Sequence, residues 1–498
     1  MDASPDKLRK RLSKWVKRWH SEWCRQTGLD QLPHQLRALE WAAAIEAGIG
    51  DSANLTTRGG VLADEMGLGK TMVALALMLL HPKPRQLIVV PRMLLAQWRD
   101  IIKERLGHTA LIFHGGTARN ITQDALAAAP IVITTYGMIA ERKRPTHTSL
   151  LLAKQKWGRV VFDEAHHMRN RNYNFTGAAC LKTEKLWLLT GTPIQNSRRD
   201  LQALWMLLGF SAAQFGQHGF EQRLIENLVL HRTKKSVGIS TQEPKIEEIE
   251  CDWDSQGEQD LSDQFHSTLQ CMLTKRLGTV RPSVSAFSRN TLCALVRCRQ
   301  MCVAAGLLLD DLKGLESKWL TQAPNQTTLP PPLPFMKQGS KIGIVCDHLQ
   351  KGLANKQEEL RRKLVFCHYI GSMDMIERGL LEGPGRHTVA RISGKTTQRQ
   401  RKQILDSSPD VLLLQIRTGC EGLNLQEYSD VYFVTPHWNP AVEEQAIGRC
   451  HRMGQTKRVR VFRFVMNNTG SDGISLDELC ARTQGRKLEE AKIVPVQS

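Results

Sequence analysis

The chain has 498 residues, so about two to four domains are expected, and its 41% hydrophobic residues suffice to build a core in each. A formal charge of +19 favours a polyanionic partner. No stretch of about 18 uncharged apolar residues is present, which excludes a membrane-spanning helix and predicts no membrane partner. The 12 cysteines lack the tight framework of a small secreted domain, which predicts thiols in a reducing compartment.

The first predicted element is a basic helix over residues 1–28. Trp15, Trp19 and Trp23 are four residues apart, which puts them on one helical face among lysines and arginines. Two interpretations stay open at this point. The helix is either a surface helix whose tryptophans dock on the body of the protein, or a helix that contacts DNA or carries a nuclear-localisation signal.

Short β-rich runs alternate with helical patterns in two parts of the chain. Between residues 59 and 193 the runs are GGVLA, QLIVVP, ALIFHG, IVITTY, RVVFDEA and KLWLLTGTP. After residue 362 they are KLVFCHY, VARISG, DVLLLQI, DVYFVTP and RVFRFV. This rhythm is typical of a parallel sheet covered by helices. The sequence therefore predicts an α/β fold with two parallel-sheet lobes.

The region between the lobes carries longer helical patterns, such as DLQALWMLLGF and TLCALVRCRQMC, without a convincing series of strands. A proline-dense stretch, PNQTTLPPPLPF, then predicts an extended connector. The predicted segments are an N-terminal helix at 1–28, a first lobe at 29–200, helical protrusions at 201–322, a linker at 323–338, a second lobe at 339–470 and a C-terminal tail or brace at 471–498.

Three cysteines in the helical region are close in sequence. Cys293, Cys298 and Cys302 form neither a C-x-x-C pair nor a cluster with nearby histidines. This spacing favours packing on a helix face over a zinc site.

The stretch LADEMGLGKT has the character of a phosphate-binding loop, with a strand before it and an apolar helix after it. Two glycines supply bare backbone, the lysine a counter-charge and the threonine a hydroxyl for Mg²⁺. Asp64 occupies the position where the strict pattern has glycine, and its side chain is expected to point away from the ligand. The predicted nucleotide-binding residues of the loop are Asp64, Glu65, Met66, Gly67, Leu68, Gly69, Lys70 and Thr71.

An acidic pair follows a predicted strand in RVVFDEAHH. Of Asp163 and Glu164, one carboxylate can hold Mg²⁺ and the other can orient an attacking water. Together with Lys70 and Thr71 they predict a site that splits a nucleoside triphosphate. We predict Thr71 and Asp163 as the metal ligands, and Glu164 as the residue that orients the water.

Two arginines stand in QAIGRCHRMGQ, within the second lobe. Arg449 and Arg452 are three residues apart and are predicted to share a helix face, where their guanidinium groups could neutralise charge on a γ-phosphate. Since they belong to the second lobe, they would reach a nucleotide on the first lobe only when the lobes close.

These motifs, in this order, resemble the superfamily-two helicase-like ATPases, and within them the SWI/SNF-type branch of chromatin-remodelling and repair motors. LADEMGLGKT, with Asp64 in place of glycine, resembles that branch's own version of the loop. The resemblance runs over roughly residues 30–470. It implies two RecA-like lobes, ATP and Mg²⁺ as cofactors, and catalytic roles for Lys70 and for the acidic and arginine pairs.

The resemblance also assigns residues in the first lobe. LPHQLRALEW resembles the motif whose glutamine, here Gln35, contacts adenine. LIVVPRMLLAQW and VITTYGMI resemble the segments that track a DNA backbone, which makes Thr135 a candidate DNA contact. LLTGTPIQN resembles the motif that couples the two sites, with Thr192 and Gln195 at its centre. HRTKK, at 231–235, resembles a short basic signature of the branch.

In the second lobe, QIRTGCEGLNLQ and HWNPAVEEQ make Arg417, Asn424 and Trp438 candidate DNA contacts by the same resemblance. An arginine can bind phosphate and a tryptophan can stack on bases. For Trp438 a place in the hydrophobic core is an equally open alternative.

The function implied by the resemblance is an ATP-driven translocase on double-stranded DNA, which remodels chromatin or other protein–DNA complexes in transcription or repair. It implies a nuclear protein, with nucleosomes as a candidate substrate and with accessory proteins. Two alternatives stay open on the sequence alone. One is a strand-separating helicase on DNA or RNA, and the other is a scaffold that has lost catalysis, against which the complete set of charged site residues argues.

Overall fold

The computed structural model divides into two compact units, which we describe separately. Unit 1 comprises Met1–Thr241 and Lys487–Ser498, and unit 2 comprises Gln242–Arg486. The structure describes residues 5–49, 55, 57–141, 146–169, 171–194, 198–239, 242–274, 289–308, 339–354, 361–383, 387–416, 423–452, 454–467, 474–491 and 493–497. The predicted linker at 323–338 lies outside these residues.

Unit 1 is built from ten helices and seven strands within its described residues. Its helices are α1 (Pro5–Thr27), α2 (Pro33–Ala47), α3 (Lys70–Leu80), α4 (Leu95–Leu106), α5 (Gln123–Ala128), α6 (Tyr136–Ile139), α7 (His147–Lys154), α8 (Tyr173–Ala179), α9 (Arg198–Leu208) and α10 (Phe220–Leu228). Its strands are β1 (Gly59–Leu62), β2 (Gln86–Val90), β3 (Leu111–Phe113), β4 (Ile131–Thr135), β5 (Lys156–Asp163), β6 (Lys182–Leu189) and β7 (Val229–Leu230).

The strands of unit 1 form one parallel sheet in the order β3-β4-β2-β5-β6-β1-β7. Helices cover both faces of a parallel sheet, so its central strands are continuous apolar runs, and QLIVV and GGVL are buried at every position. All the carboxyl ends lie on one rim of such a sheet. The segments that follow β4, β2, β5, β6, β1 and β7 therefore succeed one another along that rim.

Helix α1 packs on the body of unit 1 through its apolar side. Val16, Trp23 and Cys24 are buried in the core of the unit. The Trp19 ring stacks on that of Trp23 at 5.6 Å. Trp15 remains 43% exposed and stacks on His81 at 5.5 Å. The tryptophan face thus docks on the unit, while lysines and arginines occupy the exposed face of the helix.

Unit 2 contains seven helices and six strands within its described residues. The helices are α11 (Gln256–Thr274), α12 (Arg289–Met301), α13 (Ser340–Ala354), α14 (Ile370–Leu381), α15 (Gln398–Asp406), α16 (Pro440–Ile447) and α17 (Leu476–Ala491), of which the last ends in unit 1. The strands are β8 (Lys245–Cys251), β9 (Arg362–Cys367), β10 (Val389–Ile392), β11 (Val411–Gln415), β12 (Tyr428–Phe433) and β13 (Arg460–Met466).

The second sheet is also parallel, in the order β10-β11-β9-β12-β13-β8. Successive side chains of its strands point to opposite faces, and two separate cores result. Val365 and Cys367 pack into one core, whereas Leu364 and Phe366 pack into the other. The predicted α/β class, with two parallel-sheet lobes, is confirmed.

The region 201–322, predicted as helical protrusions, also contains two strands. Residues up to Thr241 belong to unit 1, where β7 pairs with β1, and β8 pairs with β13 at the edge of the second sheet. The sequence hides both strands. Strand β7 has two residues, and KIEEIEC is a mostly exposed edge strand whose glutamates conceal the pattern of a buried strand.

Among the described residues, no helix combines the length and the apolar composition needed to cross a membrane.

Candidate active site

The phosphate loop connects β1 to α3 at the carboxyl rim of the first sheet. Gly69 precedes the helix with a φ of 84°, and Lys70 and Thr71 form its first turn. The first turn of a helix leaves its amide groups without intrahelical acceptors, so these N–H groups can bind an anion. Because Gly69 has no side chain, the approach to those amides stays open.

Helix α2 presses on the loop from the other side. A Cβ atom at Gly69 would lie 2.2 Å from Nε2 of Gln35 and would displace that amide, and the φ of 84° itself favours glycine. Nε2 of Gln35 donates to the carbonyl of Leu68 at 3.4 Å, and a ring nitrogen of His34 lies 3.2 Å from the same oxygen. Gln35, predicted to contact adenine, therefore sits directly beside the loop.

Asp64 points away from the loop and into the protein. Its carboxylate accepts two hydrogen bonds from the guanidinium of Arg232, at 3.0 and 2.5 Å, and both side chains are 2% exposed. The backbone amide of Glu65 donates to the carbonyl of Arg232 at 2.8 Å, and the amide of Lys234 donates to the Glu65 carboxylate at 2.7 Å. The HRTKK segment thus supports the base of the loop, a role that sequence reasoning missed.

Lys70 lies over the loop carbonyls. Its Nζ donates to the carbonyl of Asp64 at 2.6 Å and to that of Glu65 at 3.4 Å. Burial lowers the pKa of Lys70, while the charges of Glu164, Asp64 and Asp163 act in the opposite direction. The Lys70 ammonium group therefore lies near the acidic pair while it donates to loop carbonyls.

The acidic pair ends β5 as predicted. Asp163 is buried, and burial together with the charge of Glu164 raises the pKa of Asp163 to about 6. Glu164 adopts a left-handed conformation with a φ of 53°, unusual for a residue with a side chain. Oε2 of Glu164 lies 3.2 Å from Nδ1 of His166.

Two aromatic side chains donate hydrogen bonds to Asp163, and no local sequence pattern predicted these contacts. Nε1 of Trp98, on α4, donates to Oδ2 of Asp163 at 2.7 Å. The hydroxyl of Tyr136, on α6, donates to the backbone carbonyl of Asp163 at 2.6 Å. Both aromatic residues belong to segments that resemble DNA-tracking motifs.

The candidate DNA contact at Thr135 is not at the surface. Thr135 is buried at the end of β4, and its hydroxyl lies 3.1 Å from Nδ1 of His114. Arg92 is exposed just after the neighbouring strand β2. Burial of His114 and the nearby charge of Arg92 lower the pKa of His114. Arg92 is therefore the better candidate, and the signal for it was its place just after β2 in PRMLLAQW.

The predicted coupling motif follows β6, between the acidic pair and the loop. The amide of Thr192 donates to the hydroxyl of Thr190 at 3.2 Å. A Cβ atom at Gly191 would lie 3.1 Å from Cγ of Met66 and 3.7 Å from Nζ of Lys70. This motif therefore packs against the phosphate loop. Gln195 lies outside the described residues.

The arginine pair lies in unit 2, but not on a helix face as predicted. Helix α16 ends at Ile447, and Gly448 begins a turn that carries Arg449 and Arg452. Nε of Arg452 donates to the carbonyl of Gly448 at 3.0 Å. Burial and the nearby charge of Arg449 lower the pKa of Arg452 to about 10. Two guanidinium groups held close together and partly desolvated make a site that favours an anion.

The other second-lobe candidates fall into three situations. Asn424 is exposed, and its amide donates to Gln426 at 3.4 Å. Trp438 is half-buried against the core of unit 2, in a loop whose His437 amide donates to Glu443 at 2.7 Å. Arg417 lies outside the described residues.

The three clustered cysteines do not assemble a metal site in the part of the chain that the structure describes. Cys298 and Cys302 are buried, and Cys293 is exposed. Burial raises the pKa of Cys298 to about 12, so it remains a protonated thiol. Packing, the favoured alternative, accounts for both buried residues.

Parallel sheets in both units, with a phosphate loop and an acidic pair on the rim of the first, define a helicase-like nucleoside-triphosphate hydrolase. Residues 34–286, just over half of the chain, match the SNF2-related domain, and residues 340–454 match the helicase conserved C-terminal domain. The chain belongs to the SNF2-related family. As in that family, it is an ATP-hydrolysing enzyme.

Curated relatives align over most of this chain. A probable global transactivator of Orgyia pseudotsugata multicapsid polyhedrosis virus is 28% identical, over 88% of this chain and 87% of the relative. The ISWI chromatin-remodeling complex ATPase of Saccharomyces cerevisiae, ISW2, is 29% identical over 87% and 39%. The DNA repair protein RAD5B of Arabidopsis thaliana is 23% identical over 88% and 45%. The chain thus spans less than half the length of the latter two relatives.

Among solved structures, the chain is similar to the Sulfolobus solfataricus SWI2/SNF2 ATPase core in complex with double-stranded DNA. The identity is 19%, the alignment covers 94% of this chain and 98% of that one, and the TM-score is 0.38.

Proposed function

We propose that this protein is a DNA-dependent ATPase that uses ATP hydrolysis to move along double-stranded DNA and so remodels chromatin or other protein–DNA complexes. One observation carries the proposal: the nucleotide site and the exposed Arg92 lie on the same rim of one sheet, at the ends of strands β1, β5 and β2. The charge of +19 supports a nucleic-acid partner. The names of the cellular relatives support chromatin or DNA repair as its setting.

In this proposal the phosphate loop binds ATP. Its amides and Lys70 hold the β- and γ-phosphates, with the ammonium group leaving the carbonyls it now contacts. Gln35, beside Gly69, recognises adenine. Thr71 and Asp163 would hold Mg²⁺, which neutralises charge on the phosphates when bound. The fit is good because both offer hard oxygen ligands, and Mg²⁺ commonly takes only one or two ligands from the protein beside those of the phosphates.

Glu164 is proposed to orient the attacking water and accept its proton. The two carboxylates have different partners, since Asp163 accepts from Trp98 and from the Glu164 amide whereas Glu164 lies beside His166, so the two can serve different roles. Arg449 and Arg452 are proposed to neutralise charge that develops on the γ-phosphate. They belong to unit 2, so hydrolysis would require unit 2 to close on the nucleotide, and each cycle would then open and close the protein.

Closure can move DNA if each unit contacts it. Arg92 is the proposed contact in unit 1, and Asn424, Trp438 and Arg417 are the proposed contacts in unit 2. These groups suit the DNA backbone or stacking on a base, and a backbone contact can move a duplex without breaking base pairs. A nuclear location, nucleosomes as substrate, and accessory protein partners belong to the same proposal.

The ATPase rate tests this function directly. It is measured with no nucleic acid, with single-stranded DNA, double-stranded DNA and RNA, and with nucleosomes. We expect the largest stimulation with double-stranded DNA or nucleosomes. Stimulation by single-stranded DNA or RNA alone would favour a strand-separating helicase, and a rate independent of every nucleic acid would overturn the proposal.

A further inference from the structure

Two aromatic residues from separate elements of unit 1 donate hydrogen bonds to Asp163. If the function proposed above is correct, they offer a route by which DNA can control the rate of hydrolysis. Neither Trp98 nor Tyr136 was assigned a role by the sequence motifs, and both are buried. Both donate a hydrogen bond to Asp163, at the end of β5.

Trp98 holds the Asp163 carboxylate itself. It lies on the first turn of α4, 2% exposed, and its indole N–H donates to Oδ2 at 2.7 Å. The other oxygen, Oδ1, accepts from the amide of Glu164 at 3.0 Å. The rotation of the carboxylate is thus fixed by one donor on each oxygen. A small displacement of α4 would turn it.

Tyr136 contacts Asp163 directly and is connected to Glu164 through two histidines. Its hydroxyl donates to the Asp163 carbonyl at 2.6 Å. Its ring packs on His167 at 5.0 Å, the His167 ring stacks on His166 at 4.7 Å, and His166 lies 3.2 Å from the Glu164 carboxylate. A displacement of Tyr136 would therefore reach Glu164 through two stacked imidazole rings.

The exposed ends of the same segments lie on the rim. Arg92 is exposed on the short 3₁₀ turn Arg92–Leu94, which leads directly into α4 and Trp98. Gly137 is exposed next to Tyr136. Each segment therefore presents one residue to solvent and one aromatic side chain to Asp163. A duplex that contacts both Arg92 and Gly137 would act on both aromatic residues at once.

We propose that Trp98 and Tyr136 are positioning residues through which a DNA duplex bound at the carboxyl rim of β2 and β4 sets the orientation of Asp163 and Glu164. The duplex phosphates bind Arg92, and the duplex also contacts the exposed residue Gly137. The two hydrogen bonds to Asp163 transmit that binding to the site of hydrolysis. DNA then accelerates ATP hydrolysis without contacting the nucleotide.

Two conservative variants test the proposal. Trp98→Phe and Tyr136→Phe each remove a single donor and keep an aromatic ring. The matched controls are Trp157→Phe, whose buried indole donates to the carbonyl of Leu152 at 3.0 Å, and Tyr432→Phe, whose hydroxyl lies 3.3 Å from Nδ1 of His348. The controls report the general effect of losing a buried donor elsewhere in the protein.

The first readout is the ratio of DNA-stimulated to basal kcat. We expect this ratio to fall about tenfold in both variants, because each loses one hydrogen bond and the net free energy of one such bond corresponds to about a tenfold change in rate. Both controls should retain the ratio. A merely structural role would lower both rates in the same proportion and leave the ratio unchanged, and that result would overturn the proposal. If Trp98→Phe does not fold, Tyr136→Phe decides the question by itself.

The second readout uses binding alone. The affinity for duplex DNA is measured with and without a non-hydrolysable ATP analogue. Coupling between two sites is reciprocal, so in the wild type the analogue should change DNA affinity by a factor within about 5–150, and in the two variants this factor should approach one. Coupling unchanged in the variants would overturn the proposal. A wild type that DNA neither stimulates nor binds would instead count against the proposed function itself.

Discussion

Asp64 and Arg232 form a buried ion pair with two hydrogen bonds, although 168 residues separate them in the sequence. Asp64 stands where the strict phosphate-loop pattern has glycine, and Arg232 belongs to the HRTKK segment that follows β7. A third bond from Arg232 reaches the carbonyl of His34 at 2.7 Å, on the helix that also carries Gln35. Asp64, the departure from the strict pattern, therefore has a structural role. Its ion pair with Arg232 joins the phosphate loop, helix α2 and the segment after β7.

The first prediction concerns Asp64→Gly, which restores the strict pattern. We expect it to destabilise unit 1 by about 3–5 kcal/mol and to weaken ATP binding, because Arg232 would remain buried without its carboxylate. Denaturant unfolding and nucleotide titration measure the two effects. The double variant Asp64→Gly, Arg232→Met removes both charges and should be less destabilised than the sum of the single variants. An Asp64→Gly protein as stable as the wild type would contradict this account.

The second prediction separates binding from hydrolysis. Glu164→Gln should retain ATP binding and lose most turnover, because in the proposed mechanism the carboxylate acts on water while Lys70 and the loop amides hold the phosphates. Lys70→Ala should weaken both. Nucleotide binding by fluorescence and steady-state ATPase rates distinguish them. If Glu164→Gln hydrolysed ATP within about threefold of the wild type, Glu164 would not be the base.

The third prediction addresses unit 2. Arg452→Ala should lower turnover about 10²-fold with little loss of ATP affinity, because its partner is charge that develops only in the transition state. Arg449→Ala should act in the same direction. Arg458→Ala, an exposed arginine that donates to the carbonyl of Glu243 at 3.0 Å, is the matched control. Equal losses of affinity and turnover would instead indicate that the pair anchors ground-state phosphate.

The fourth prediction is a pH dependence of stability. Burial by itself would raise the pKa of Glu46, but hydrogen bonds from His81, Arg159 and Trp187 and the Arg159 charge lower it to about 2. A lowered pKa stabilises the fold above the unfolded value near 4.5, and this stabilisation is lost as the pH falls from there towards 2. It amounts to about 3 kcal/mol at neutral pH.

Glu46→Gln should therefore destabilise unit 1 at pH 7 and much less at pH values near 3, as followed by denaturant unfolding with tryptophan fluorescence. Glu184→Gln is the control, since Glu184 is exposed and lies 3.4 Å from Lys83. A destabilisation by Glu46→Gln that did not change with pH would show that the lost contacts, and not the charge, account for it.

Local patterns predicted the fold where the chain is buried on both sides. Strands such as β2 and β11 are continuous apolar runs, and they were found because parallel sheets bury both faces. Strands β7 and β8 were missed because one is very short and the other lies at an edge. The end of α16 at Ile447 was missed because Arg449 and Arg452 have a helical spacing even though the helix stops before them.

The candidate site likewise contains a part that local sequence patterns predicted and a part that they did not. The loop from Asp64 to Thr71 and the Asp163–Glu164 pair are contiguous in sequence. Their residue types therefore sufficed to predict a loop between a strand and a helix and a carboxylate pair at the end of a strand. The partners that position them were not predicted, because Trp98 is 65 residues from Asp163 and nothing in its own segment indicates that contact. Burial of Thr135 likewise depends on a strand neighbour, His114, that only the folded sheet brings close.

The central claim is that ATP hydrolysis moves this protein along double-stranded DNA without separating the strands. Displacement of a triplex-forming third strand from a duplex tests it most directly, because release of that strand requires movement along an intact duplex. We predict release that depends on ATP and on a duplex track leading to the triplex, is absent with Glu164→Gln, and leaves the two duplex strands paired. No release above that variant, under conditions where the same DNA stimulates ATP hydrolysis, would contradict the account.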